Sequence, residues 1–345
     1  MRPVIDFIKR LTVVLSAVTA WSCVTVLFLW AVGAVYYCPL LPALFKPVIA
    51  TVYLTGGIVL FFRSTRKQRW LRNISVSIVV VYVFTLFQRP SLTRSWAEDN
   101  AVTPNIQIDG DQVLVSGLRH SQYRSETDFD VYYRDVTFRL SQLDKVWFVV
   151  QRFTTLEGIA HNFLTFAING ETETQFVSVS VEIRREIGET FSPLKGLYRE
   201  YELIYVIADE RDEIGARTVF RPDDRVYMYP VNANPRQVQQ LFKDIAARMQ
   251  QLKHAPEFYH SLLNNCTNNI VRHTYKLTPQ PINWLDPRIV APGYADRFAF
   301  STQLIGNEAD TFESLQRRCR IDTIAREAGI TSQFSADIRR TAIVP

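Results

Sequence analysis

The sequence predicts an α+β domain with a mostly antiparallel sheet, carried behind three membrane-spanning helices. Three observations predict it. Apolar spans crowd the first 90 residues. Runs rich in Val, Ile, Phe, Tyr and Thr then follow one another between residues 136 and 210. Beyond "VYMYPVNANP" the hydrophobic period turns helical. Strands first and helices after is the order of an α+β domain.

The first span runs from Leu11 to Tyr37 without a charge, long enough to cross a bilayer. A cleaved signal peptide is the alternative, but the apolar run continues well past Val18-Thr19-Ala20. The second span covers Leu40 to Phe62, with Lys46 near its outer end. The third, Ile74 to Phe87, is short. It reaches spanning length only with Trp70 to Gln88 counted as interfacial flanks. Residues 1–90 net +9 against +5 for the whole chain, so residues 91–345 net −4. The basic character is therefore a topology signal and makes no case for nucleic-acid binding. "MRPVIDFIKR" and "FFRSTRKQRWLRN" hold three and five basic residues. Both are expected in the cytoplasm, which puts the N-terminus there and the domain after the third span outside, in the periplasm of an inner-membrane protein.

"QRPSLTRSWAEDNA" reads as a linker or an amphipathic surface segment. The expected organisation is an anchor over 1–90, a linker over 91–104 and a domain over 105–345. Strands are expected at 136–143, 145–153, 159–168, 174–186 and 201–210. "VSVSVEI" alternates strictly, with Ser178, Ser180 and Glu182 on its polar face. Asn234-Pro235 starts a helix that carries Val238, Leu241, Phe242, Ile245, Met249 and Leu252 on one side. A second helix starts at Asn265 or Cys266. "TPQPINWLDPRIVAPG" holds four prolines and cannot be helical throughout. "DTFESLQRRCRIDTIAREAG" and "FSADIRRT" near the C-terminal end read as short amphipathic helices.

"LLNNCTNNIVRH" (262–273) carries the chemistry to weigh. In the first turn of a helix, Cys266 meets unpaired N–H groups and the positive end of the helix dipole, and both favour thiolate. Asn265 can cap that helix, and Asn264 or Asn265 can offer an amide to an oxyanion. Against this, asparagines cap ordinary turns, and an isolated Cys is commonly a core residue. The four cysteines show no metal-ligand spacing, and Cys266 with Cys319 could pair as a disulfide in an oxidising compartment. A thiol enzyme needs a base. His273 sits two turns along the same helix, about 10 Å away, too far for a hydrogen bond. His161, held on a strand, is the best placed, with Ser180 or Glu182 on the neighbouring strand to orient it. A satisfied core histidine is the competing reading. The dense charges of "VEIRREIGE" and "ADERDEIGAR" read as solvated faces, with Arg184 or Arg211 able to hold a phosphate or carboxylate. No cofactor or metal is implied.

"YRSETDFDVYYRDVTFRLSQLDKVWFVV", "GIAHNFLTFAI", "VSVEIRREIGETFSPLKGLYREYELIYVIADERD", "LLNNCTNNIVRH" and "APGYADRFAF" together resemble the periplasmic domain of the Lnb family, over roughly residues 105–345. That resemblance implies a papain-like thiol enzyme of permuted NlpC type, with His before Cys. It implies Cys266 as nucleophile and His161 as base, and an association with N-acylation of lipoproteins. It does not fix the third member. Name-giving members carry their spans after the domain, whereas here the spans precede it.

Three functions follow for testing. The leading one is an inner-membrane acyltransferase that takes an acyl chain from phospholipid and passes it through a Cys266 thioester to an amine such as a lipoprotein N-terminus. "INWLDPRIVAPGYADRFAF" either borders a lipid entry or packs as ordinary core. The second is an amidase or peptidase using the same pair on peptidoglycan or protein. The third is a membrane-tethered binding domain without catalysis.

Overall fold

The computed structural model describes residues 2–153 and 157–340. The chain forms two units: residues up to Pro90 together with Leu194–Glu200, and Ser91–Pro193 together with residues from Tyr201 onward.

The first unit holds α1 (Arg2–Tyr36), α2 (Lys46–Arg63) and α3 (Lys67–Thr85). Two of them, over Arg10–Tyr36 and Lys46–Arg63, are long and apolar enough to cross a membrane. The third, α3, is helical over the expected residues, but its first two turns are "KQRWLRN", which dilutes its apolar length. Its Trp70, Ile74 and Ile78 pack against Phe28 and Ala31 of α1. Gly57 lets α2 approach: a Cβ there would meet the Phe28 ring at 2.4 Å, and Trp70 Nε1 donates to the Gly57 carbonyl at 2.8 Å.

The second unit is an α+β domain around an eight-stranded sheet. Its strands are β1 (Asn105–Asp109), β2 (Gln112–Arg119), β5 (Tyr133–Arg139), β6 (Leu143–Arg152), β7 (Ala160–Asn169), β8 (Thr174–Arg184), β9 (Glu202–Asp209) and β10 (Arg225–Pro230). Between β2 and β5 lies a small ribbon of β3 (Gln122–Tyr123) and β4 (Phe129–Asp130). The sheet runs β1-β2-β9-β8-β7-β6-β10, with β5 on β2, and every pairing is antiparallel except the short β2–β9 contact. Period-2 alternation splits the central strands between two cores. Val146, Phe148, Leu164 and Phe166 face α5 (Pro235–His254) and α6 (Cys266–Thr274). Val149 and Phe163 face α4 (Glu210–Thr218), α10 (Asp322–Ala328) and α11 (Phe334–Asp337). The remaining helices, α7 (Pro287–Val290), α8 (Ala295–Ser301) and α9 (Phe312–Arg318), are short, and Pro287 and Pro292 confine α7 to a single turn.

Two expectations change. Residues 91–104 are built into the domain rather than linking to it. Trp96 bridges to Glu186, Ala97 N–H donates to the Arg185 carbonyl, and Asn100 is buried. The serine face of β8 is also not a wet face: Ser178 and Ser180 are fully buried beneath α4.

One irregularity positions the site. The β7–β8 ladder stops at Phe163↔Ser180, while β8 continues along β9 to Arg184 and β7 continues along β6 to Ala160. A notch opens between the two strands. His161 lies on one side of it and Glu182 on the other.

Candidate active site

Cys266 is the first residue of α6, and its neighbours fix that boundary. Asn265 Oδ1 accepts from Asn268 N–H at 2.9 Å, and Asn268 Oδ1 accepts from Asn265 N–H at 3.1 Å, a reciprocal capping box. The sulfur therefore sits where backbone N–H groups lack partners within the helix and the dipole is positive. Cys266 is buried, 3% exposed. The start of α6 is pinned to β7, because Asn162 Nδ2 donates to Thr267 Oγ1 at 2.7 Å and to the Pro292 carbonyl at 3.0 Å.

Across the notch, His161 Nε2 lies 2.7 Å from Ser180 Oγ, and Ser180 Oγ donates to Glu182 Oε1 at 3.0 Å. With Nε2 committed to Ser180, Nδ1 is the ring nitrogen left for the sulfur. Glu182 Oε1 lies 3.6 Å from Nε2, and Glu213 Oε1 lies 3.9 Å from it. Burial alone would make His161 harder to protonate. Its interactions with Cys266 and with the nearby Glu213 carboxylate outweigh burial and raise its pKa to about 9. Burial alone would also push the Cys266 thiol up. The hydrogen bond and charge of His161, then the Asn162 backbone N–H, overcome that and hold it below its usual value. The two directions agree. Each shift favours the charged form of its group, and a protonated Nε2 donates to Ser180, which is already oriented toward Glu182.

Glu213 is the residue that sequence reasoning missed. "ADERDEIGAR" reads from the sequence as a solvated face or surface ion pairs, yet Glu210, Asp212 and Glu213 are all buried. Each has a cation. Glu210 pairs with Arg339, and Asp212 takes Arg119 through two oxygens at 3.0 Å. Glu213 is shared between Arg119 at 2.9 Å and Arg217 at 3.0 Å. Burial raises the Glu213 pKa, but Arg217, His161 and Arg119 outweigh it and hold it ionised, well below the usual carboxylate range. The available signal was the Glu213/Arg217 pair, one helical turn apart.

Residues 130–292 match the family model of the Lnb N-terminal periplasmic domain. That stretch is similar to an Lnb periplasmic domain. The matched stretch includes His161, Ser180, Glu182, Glu213 and Cys266. Comparisons with curated proteins and with solved structures found no match.

Several expected roles do not survive in this domain. The Asn264 side-chain amide donates to Glu257 at 3.1 Å and to the Phe258 carbonyl at 3.0 Å, and that of Asn265 donates to the Ser261 carbonyl at 2.8 Å. Both amides build the turn before α6 and are spent there, so neither serves an oxyanion. Arg184 is buried, donates to the Asn100 and Ala101 carbonyls and lies over the Trp96 ring. Arg211 closes on Asp209 of its own helix cap. Neither Arg184 nor Arg211 is poised for an anionic ligand. Cys266 and Cys319 are free thiols, with burial pushing Cys319 up to about 12. His273 bridges Asp244 at 2.7 Å and Tyr205 at 2.8 Å, a structural post between α5, α6 and β9. The "APGY" stretch is packing: Gly293 lies so close to the Glu157 carbonyl that a Cβ would meet it at 1.8 Å.

Among the described residues, His161, Glu182 and Glu213 could converge on a metal ion, with ligand atoms within 4.8 Å of one another. The Arg217 guanidinium already stands between the two carboxylates, 2.8 Å from Glu182 and 3.0 Å from Glu213. A metal there would have to displace a largely buried cation.

Proposed function

We propose that this protein is an inner-membrane thiol acyltransferase with a papain-like Lnb domain in the periplasm. The observation that carries this reading is the buried Cys266, its thiol held below its usual pKa by His161, at a capped helix N-terminus within the Lnb match. The Cys266 thiolate attacks the ester carbonyl of a phospholipid acyl chain. The backbone N–H of Cys266, which has no acceptor within its own helix, faces the developing oxyanion. His161 gives its proton to the departing lysophospholipid oxygen, which leaves an acyl thioester. An amine, such as a lipoprotein N-terminus, then attacks the thioester. His161 accepts the amine proton, and the thiolate is regenerated as the amide forms. Ser180 and Glu182 orient the ring through Nε2, and Glu213 supports its charge.

The topology belongs to the same reading. A periplasmic domain behind a cytoplasmic N-terminus needs an odd number of crossings, so α3 is the third span. At 1.5 Å per residue its apolar part, Ile74–Thr85, rises about 18 Å, and Trp70 at one interface with Leu86–Gln88 at the other complete the span. Its basic first turns would then stay at the cytoplasmic face.

The test uses the full chain in nanodiscs of one defined phospholipid. Intact-protein mass is expected to show one acyl adduct, removed by hydroxylamine and absent in Cys266→Ser. In His161→Gln the adduct forms at least about a hundredfold more slowly. A wild type whose thiol alkylates normally but never carries an acyl group would sink the acyltransferase reading. Cleavage of muropeptides by that same preparation would establish the hydrolase in its place.

A further inference from the structure

We infer that Ile187, Phe191, Leu262 and Leu263 form an apolar lip that enters the lipid bilayer beside Cys266. Its purpose rests on the acyl-transfer reading, since a lip in the lipid would bring ester carbonyls to the sulfur. The evidence for it is separate. Single exposed apolar residues are ordinary on protein surfaces, but these four large side chains are 73%, 46%, 46% and 67% exposed and cluster on two joined loops. The loop over 187–193 and the turn over 260–264 are tied together by Ser261 Oγ donating to the Pro193 carbonyl at 2.6 Å. Cys266 follows Leu263 by three residues.

The turn is built rather than loose. His260 Nδ1 accepts from Leu262 N–H at 3.2 Å and Leu263 N–H at 3.3 Å. His260 and Asn264 also exchange backbone hydrogen bonds at 3.1 and 3.0 Å. A turn held this way presents both leucines outward as fixed tips. Polar groups on the lip are turned back: Glu189 caps the Glu186 N–H at 2.8 Å, and Asn264 donates inward to Glu257 and the Phe258 carbonyl. That leaves an apolar edge without a charged tip.

A lipid surface is the occupant, because the lip is covalently continuous with the helical unit. The chain passes from Pro193 directly into Leu194–Glu200, which belongs to that unit, and returns at Tyr201. Within the unit Tyr198 stacks on Tyr37 with ring centroids 5.0 Å apart. It also lies over Gly33, where a Cβ would meet its hydroxyl at 2.2 Å. Gly33 and Tyr37 mark the end of the apolar helix over Arg10–Tyr36, a tyrosine-rich boundary of the kind found at membrane–water interfaces.

The test places a photoreactive benzoylphenylalanine at Phe191, Leu263 or Ile330 in the full chain, reconstituted in nanodiscs of one phospholipid. Ile330, an exposed apolar residue near Gly215 of α4, is the comparison. Lipid adducts are expected at positions 191 and 263 at about tenfold the yield at 330. No lipid adduct at 191 and 263, equal yield at 330, or adducts to protein alone would each overturn the lip. In a second arm, Leu262→Ser/Leu263→Ser is expected to lower acylation from bilayer lipid by about tenfold and to leave iodoacetamide alkylation of Cys266 unchanged. Undiminished lipid acylation would overturn the lip as well. Crosslinking needs no turnover, so lipid adducts without any acyl-Cys266 would keep the lip and remove only the acyltransferase reading.

Discussion

Replacing Glu213 by Gln removes a buried charge from beneath His161 while keeping the side chain's shape. Unit charges 3.9 Å apart, the Glu213–His161 separation, attract by about 4 kcal/mol at an effective dielectric of ~20. Only part of that falls to His161, because Arg217 and Arg119 share the carboxylate at 3.0 and 2.9 Å. A net loss of about 1–3 kcal/mol lowers the imidazolium pKa by roughly one to two pH units. The sign follows from which form is charged. Glu213 stabilises the cation, so His161 falls from about 9 toward its ordinary value when Glu213 is gone. The thiolate leans on that cation, so the Cys266 pKa rises. The pH window of the ion pair therefore narrows from both sides. Both guanidiniums keep a carboxylate in the variant, Arg119 with Asp212 and Arg217 with Glu182, which favours folding. The assay is the nitrophenolate burst from a soluble nitrophenyl ester across pH, with iodoacetamide alkylation reading the acid limb alone. The alkaline limb is expected to move down and the acid limb up, and Glu213→Asp, which keeps the charge, to lie between. Limbs that stay in place in a folded Glu213→Gln variant would refute the role given to this carboxylate.

Three further outcomes follow from the same geometry. Asn265→Ala loses the α6 cap and the bond to Ser261, and is expected to cost about 1–2 kcal/mol of stability by denaturant melt. If Asn265 were instead an oxyanion donor, acylation would fall a hundredfold or so with little change in stability. Gly293→Ala drives a methyl into the Glu157 carbonyl, so the variant is expected to lose at least about 1–3 kcal/mol in thermal unfolding. A wild-type melting temperature would mean that the contact is not this close. His273→Phe leaves the buried Tyr205 hydroxyl without its imidazole, costing about 1–3 kcal/mol. The pH profile of Cys266 alkylation is expected to stay where it is, and a shifted profile would return His273 to the site.

The local signals were legible in the sequence because they are short-range. Asn234-Pro235 and Asn265 mark helix starts through bonds that reach only three residues, and both helices begin where expected. Alternation marked the faces of β8, and the 3.6-residue period marked the buried side of α5. The first two strands went unread although Asp109-Gly110-Asp111 is a hairpin signal, with Gly110 at φ 57. Charge-rich "ADERDEIGAR" misled for a physical reason. A charged residue is exposed by default unless distant partners neutralise it, and the cations for Glu210 and Asp212 come from Arg339 and Arg119.

The sequence by itself determined that Cys266 opens a helix, that His161 stands on a strand and that an apolar segment precedes an α+β domain. Each of these depends on neighbours within a turn or a strand. Only the tertiary structure decided what those residues meet. The early end of the β7–β8 ladder makes the notch, α4 lays Glu213 and Arg217 into it, and the Asn264 and Asn265 amides are spent on backbone carbonyls and on Glu257. Contacts such as His161 with Glu213 and Arg217 with Glu182, 52 and 35 positions apart, depend on how strands register and where helices dock, and no local pattern carries that information.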